Sequence, residues 1–143
     1  MTEQIDTIYI ELVVLAARSG QQSIQMEGGL EIRINGVKPY EDGDVIDCSQ
    51  LSDSLNSPGS YFIFSCSCGF PGCAGYEHGI QVLYEEDKVI WKDCDSDKTW
   101  CFDRQKMMKR MHDLRKEAKD YRLFFIKREI NYVGFGYEAY QKP

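Results

Sequence analysis

The chain lacks a long hydrophobic run. Its longest apolar stretch, Leu12-Val13-Val14-Leu15-Ala16-Ala17, is far short of the ~20 residues that span a bilayer. It also lacks a basic start, because Glu3, Asp6 and Glu11 all precede the first base, Arg18. A secretory leader needs positive charge ahead of its apolar region, so the reading is a cytoplasmic protein with no membrane partner. Signatures of common chemistry are missing as well: there is no P-loop, no G-x-S-x-G and no H-E-x-x-H. Only two histidines, His78 and His112, are present. No repeat, low-complexity tract or linker divides the 143 residues. With 43% hydrophobic and 28% charged residues, they read as one folded domain, 1–143, and not as a disordered chain.

Charge is present in quantity and unevenly placed. Residues 1–101 hold 17 acids against 6 bases, and residues 102–143 hold 11 bases against 6 acids, so a body of −11 precedes a tail of +5. Such a body argues against general nucleic-acid binding, where phosphate neutralisation dominates affinity. It suits a basic protein partner, since complementary fields speed encounter. Solubility alone is the simpler use of the same charge.

Periodicity gives the elements. IDTIYIELVVLAA (5–17) is rich in β-branched residues and reads as a long strand, buried partly on both sides. RSGQQSIQMEGG reads as a loop. LEIRI then alternates, with Leu30, Ile32 and Ile34 on one face, and Asn35-Gly36 is a hairpin-turn signal. The acidic stretch 41–60 reads as surface loop with a short strand at Val45-Ile46. YFIFSCSC reads as a strand, GIQVLYEEDKVIWKD as a hairpin with its tip at Glu85-Glu86-Asp87-Lys88, and Trp100-Cys101-Phe102 as a further short strand. Asp103 then caps a helix whose apolar stripe is Met107, Met111, Leu114, Ala118, Tyr121 and Phe125. That helix stops near Tyr121 or runs on to Asn131. The fold class is α+β: a mostly antiparallel sheet of five or six strands packed against a C-terminal helix.

Six cysteines in a reducing compartment point to metal ligands, reactive thiols or small buried groups sooner than to disulfides. Three of them fall in Cys66-x-Cys68-x4-Cys73-x4-His78, a turn with Gly69, Gly72, Gly75 and Gly79 close by. Zinc takes four such sulfur and imidazole ligands, and glycine lets the backbone wrap an ion. An extended strand, however, holds Cys66 and Cys68 about 6.6 Å apart with parallel side chains, so both reach one ion only if the strand curls. Otherwise they extend the aromatic face of Phe62 and Phe64 into the core, since unpaired cysteine is among the most buried residue types. A reactive thiol needs a cation, base or helix N-terminus to lower its pKa. No Arg or Lys lies within residues 61–87, and His112 sits mid-helix. Cys101 precedes the helix start between two aromatics, and Cys48 and Cys94 stand singly in acidic loops. Glu41, Asp42, Asp44 and Asp47 lack the twelve-residue spacing and terminal Glu of a calcium loop, and read as a solvated acidic surface. Met107, Met108 and Met111 read as core filler.

At CSCGFPGCAG, followed by GIQV, VIW and FDRQKMMKRM, residues 60–115 resemble small bacterial proteins that share a C-x-C-G-x-x-G-C-x-G turn. In size and acidity the chain also looks like the immunity proteins of bacterial toxin–immunity pairs. That resemblance implies a non-enzymatic binder that blocks a basic toxin domain sterically. Glu41, Asp42, Asp44, Asp47, Glu85, Glu86 and Asp87 are its expected contact surface, with no obligatory cofactor. The alternative expectation is a small zinc-binding domain in which Cys66, Cys68, Cys73 and His78 organise a recognition loop.

Overall fold

A computed structural model of the chain describes residues 5–19, 23–41, 44–66 and 78–134. Its α+β architecture has the expected C-terminal helix. The strands, however, fall into three small hydrogen-bonded groups instead of one sheet of five or six.

The first group begins with β1 (Ile8–Ser19) and β2 (Ser23–Ile34), paired antiparallel without a bulge from Ile8↔Ile34 to Ser19↔Ser23. Residues 23–29, expected as loop, are therefore strand. Gly28 and Gly29 weaken a local β signal, and pairing with Val14 and Val13 supplies what the segment lacks by itself. The Asn35-Gly36 signal is borne out locally. Both residues have positive φ (53° and 85°), and Ile34 and Val37 exchange backbone hydrogen bonds across the turn.

Next come β3 (Asp44–Ile46) and α1 (Cys48–Ser54), then β4 (Gly59–Tyr61) and β5 (Phe64–Cys66). The reading of 41–60 as surface loop is corrected by α1, which buries Cys48 and Leu51 completely. Its apolar positions are too few for a periodic signal, so burial against the rest of the core decides the helix. YFIFSC is not one strand: β4 pairs with β6 while β5 pairs with β3, and the chain changes sheets at Phe62-Ile63.

The third group has the order β4-β6-β7-β8, with β6 (Ile80–Glu85), β7 (Lys88–Asp93) and β8 (Thr99–Asp103). The hairpin tip forms where expected, with Glu86 at φ 55°. Gly79 is required at the start of β6. Its φ is +72°, and a Cβ there would lie 2.9 Å from the Tyr61 carbonyl oxygen.

Helix α2 (Arg104–Lys127) starts at Asp103, whose side chain accepts from the Lys106 N–H at 3.0 Å. It buries Met107, Met111, Leu114, Ala118 and Phe125, each contributing about 1.5–3 kcal/mol for the larger side chains. Tyr121, expected on that stripe, is 40% exposed, and Met108 is also exposed. The last described element is β9 (Tyr132–Gly134), parallel to β2 through Met26↔Tyr132.

One buried cluster joins the three strand groups and both helices. It runs from Ile10 and Ile32 through Ile46, Leu51 and Phe64 to Trp91, Phe102 and Met111. Asp6 ties the first and third groups: its N–H donates to the Cys101 carbonyl (2.7 Å), and its carboxylate accepts from Cys101 N–H and Asn35 Nδ2 (both 2.9 Å). Among the described residues no helix is long and apolar enough to cross a membrane.

Candidate functional site

Among the described residues a groove of about 290 Å³ lies between β2 and the residues Lys38, Tyr40, Glu41 and Asp44. Gly28 and Gly29 form part of its floor, beside Val13 and Leu15 of β1. Glu27, Glu31, Glu41 and Asp44 line it against a single base, Lys38. Glu27 and Glu31 share a face because they lie four positions apart on one strand. Glu31 is held by Arg33 at 2.8 Å and by Lys38 at 3.6 Å. Across the groove, the Asp44 carboxylate accepts from the Glu41 N–H at 3.1 Å, and the Asp44 N–H donates back to the Glu41 carbonyl. Tyr40 anchors this wall. Its hydroxyl accepts from the Ile32 N–H at 3.2 Å, and its ring stacks on Phe64 with centroids 5.5 Å apart.

Gly29 is informative. A Cβ built there meets nothing within 4 Å, so packing does not demand glycine at this mid-strand position. A glycine in a strand interior costs conformational entropy, and one over open space leaves room for another molecule's close approach.

The residues of the expected acidic surface fall in different parts of the fold. Glu41 and Asp44 stand in the groove, and Asp42 lies outside the described residues. Asp47 faces inward on its own chain as the cap of α1, accepting from the Gln50 N–H at 3.1 Å. Glu85, Glu86 and Asp87 are exposed on the β6–β7 tip beside the start of α2, where the Asp87 carbonyl accepts from the Arg104 N–H. They do not line the groove. Glu27 and Glu31 do line it, and the period-two spacing of Glu27, Gly29 and Glu31 was the available signal.

Of the expected zinc ligands, Cys68 and Cys73 lie outside the described residues, and only the backbone of Cys66 is described. His78 is exposed and engaged by Asp95 at two points. Its Nδ1 lies 2.5 Å from Asp95 Oδ1, and its N–H donates to Asp95 Oδ2 at 3.0 Å. Asp95 is itself placed by the buried Asp93, whose carboxylate accepts from the Asp95 N–H (3.0 Å) and the Ser96 hydroxyl (2.7 Å). Among the described residues no three His, Cys, Asp or Glu side chains gather as a metal cage.

The remaining cysteines divide by burial: Cys48 is buried, Cys101 half-buried and Cys94 exposed. At the far end of α1, Tyr84 donates its hydroxyl to the Ser54 carbonyl and lies under the Arg104 guanidinium, 4.3 Å from the ring centroid. Burial raises the Tyr84 pKa above 10.0, and the Arg104 charge partly opposes that shift.

Comparison with protein-family models, curated proteins and solved structures gave no match for the chain.

Proposed function

We propose that this protein is a docking module for a basic protein partner, which it holds at the groove lined by Glu27, Glu31, Glu41 and Asp44. The supporting observation is that four acidic residues line one groove with Gly29, where open space lies above the backbone. Side-chain charge steers a cationic partner inward, and Gly29 lets a long basic side chain lie against the backbone. The module acts in the cytosol by occlusion, without making or breaking bonds. An immunity protein that blocks a basic bacterial toxin domain is the specific form of this reading.

The test is co-purification with the product of the neighbouring gene, followed by association rates at rising salt. The expected result is a rate that falls steeply with salt. The variant Glu27→Lys/Glu31→Lys should slow association while leaving folding intact. Rates unchanged by both salt and charge reversal would overturn the groove as the docking site.

A second reading rests on His78 and Asp95. Metal-bound histidines commonly present their second ring nitrogen to a carboxylate, which sets the tautomer and the ring's orientation. Asp95 is placed to do this for His78. Zinc would take Cys66, Cys68, Cys73 and His78, a thiolate-rich donor set that suits it, and would stiffen the turn. Native mass spectrometry decides: a metal-free mass, with melting unchanged by chelator, removes this reading.

A further inference from the structure

We propose that the outer edge of β1 between Leu12 and Ala16 is a self-association site. A second copy of this chain adds its own β1 there, antiparallel, and continues the sheet across a two-fold axis. This is independent of the groove reading.

Antiparallel pairs alternate between residues that exchange hydrogen bonds and residues whose N–H and C=O point away. Asn35 N–H donates to Thr7 O, one step beyond Ile8↔Ile34, so odd-numbered residues of β1 bond to β2 and even-numbered ones face outward. On β2 several outward groups are met. Ile34 exchanges bonds with Val37, Ile32 N–H reaches the Tyr40 hydroxyl, and Met26 N–H reaches Asn131 O. On β1, Ile10 O is met by Arg110 Nε at 2.6 Å. Beyond it, among the described residues, the outward N–H and C=O groups of Leu12, Val14 and Ala16 have no partner.

The course of α2 explains why protection stops there. At Arg110 the helix touches β1; at Phe125 its ring stacks on Tyr132 of β9 (centroids 5.3 Å apart), on the opposite side of the sheet. Those fifteen residues advance about 22 Å. From Ile10 to Ala16 the strand advances about 20 Å, and two strand spacings add about 10 Å sideways. The helix therefore crosses the sheet diagonally and leaves the upper β1 edge uncovered. At 100° per residue, Arg110, Glu117, Tyr121 and Phe124 share the flank that turns toward that edge. Tyr121 and Phe124 are 40% and 47% exposed, and with Glu117 and Asp120 they line a cavity of about 330 Å³.

A second copy fits both features. A two-fold axis midway between the two Val14 residues pairs each Val14 with Val14 of the second copy, and Leu12 with its Ala16. Glu11 then faces an alanine, so like charges do not meet. Both helices lie on the same side of the extended sheet, with the Tyr121 and Phe124 flanks turned toward each other. An isolated peptide strand would satisfy the edge and leave that flank in water. Copy-to-copy pairing covers both, as an isologous contact.

Analytical ultracentrifugation of the full chain under reducing conditions tests this. A concentration-dependent dimer is expected. Val14→Pro removes an outward donor without touching the β1–β2 ladder, and Ala16→Lys places a charge at an exposed position opposite Leu12 of the second copy. Each should weaken the dimer at least about tenfold, with the circular dichroism spectrum of the monomer unchanged. If Val14→Pro unfolds the chain, Ala16→Lys decides alone. A wild-type chain that stays monomeric at about 1 mM, or a dimer indifferent to Ala16→Lys, would overturn the proposal.

Discussion

Asp95 grips His78 with both carboxylate oxygens, one on the ring Nδ1 at 2.5 Å and the other on the backbone N–H at 3.0 Å. The contact joins the β7–β8 turn to the residue that leads into β6, seventeen positions away in sequence. Replacing Asp95 with Ala leaves the His78 amide without its acceptor, in a place open to water. The expected cost is about 0.5–1.5 kcal/mol in urea unfolding. Amide exchange at His78 should rise well beyond what that loss of global stability predicts. Asp95→Asn, which keeps an oxygen for the amide, should recover part of the protection.

Asp47 is the N-cap of α1, and that role predicts a stability effect. Asp47→Ala should cost about 1 kcal/mol, with Asp47→Asn close to wild type, since either side chain supplies the oxygen that Gln50 N–H needs. Partner association measured at matched folded concentrations should be little changed by Asp47→Asn and slowed by charge reversal at Glu27 and Glu31.

Tyr84 gives the chain an alkaline limit. Its folded pKa lies above 10.0, chiefly through burial, while in the unfolded chain the phenol titrates near its ordinary value. The unfolded state therefore releases this proton first as pH rises, and stability is full below about 10 and declines above it. Tyr84→Phe should be less stable at pH 7, through loss of the bond to the Ser54 carbonyl, yet flatter from pH 9 upward. Denaturant midpoints across that range check both parts.

Thiol labelling should follow burial. Cys94 is exposed and Cys48 fully buried. A small alkylating reagent at pH 8 is expected to modify Cys94 in the native protein and Cys48 only at the rate of opening events. Peptide mass spectrometry over time distinguishes them. Equal rates would mean that α1 is not held against the core as described.

Strong local periodicity was legible from the residues alone. Alternation gave the β6–β7 hairpin, the 3.6-residue stripe gave most of the buried face of α2, and Asn35-Gly36 and Asp103 each carried out the local geometry their chemistry favours. These features depend on neighbours within one turn or one strand, so the order of side chains suffices to specify them. Segments with weak local preference were not legible. Residues 23–29 become strand because β1 offers a partner; α1 forms because Cys48 and Leu51 find a core to fill. YFIFSC divides because its two halves pair with strands far apart in sequence.

The same division holds for the surface. Composition and order determined that the chain carries an acidic body, a basic C-terminal helix and a cysteine- and glycine-rich segment beside one histidine. Only the tertiary structure decided which acids share a groove, that Asp47 serves its own helix, that Asp95 finds His78, and which edge of β1 the diagonal helix leaves open. Each of those is a contact between distant segments. Its geometry follows from how whole elements pack, a quantity that local spacing does not carry.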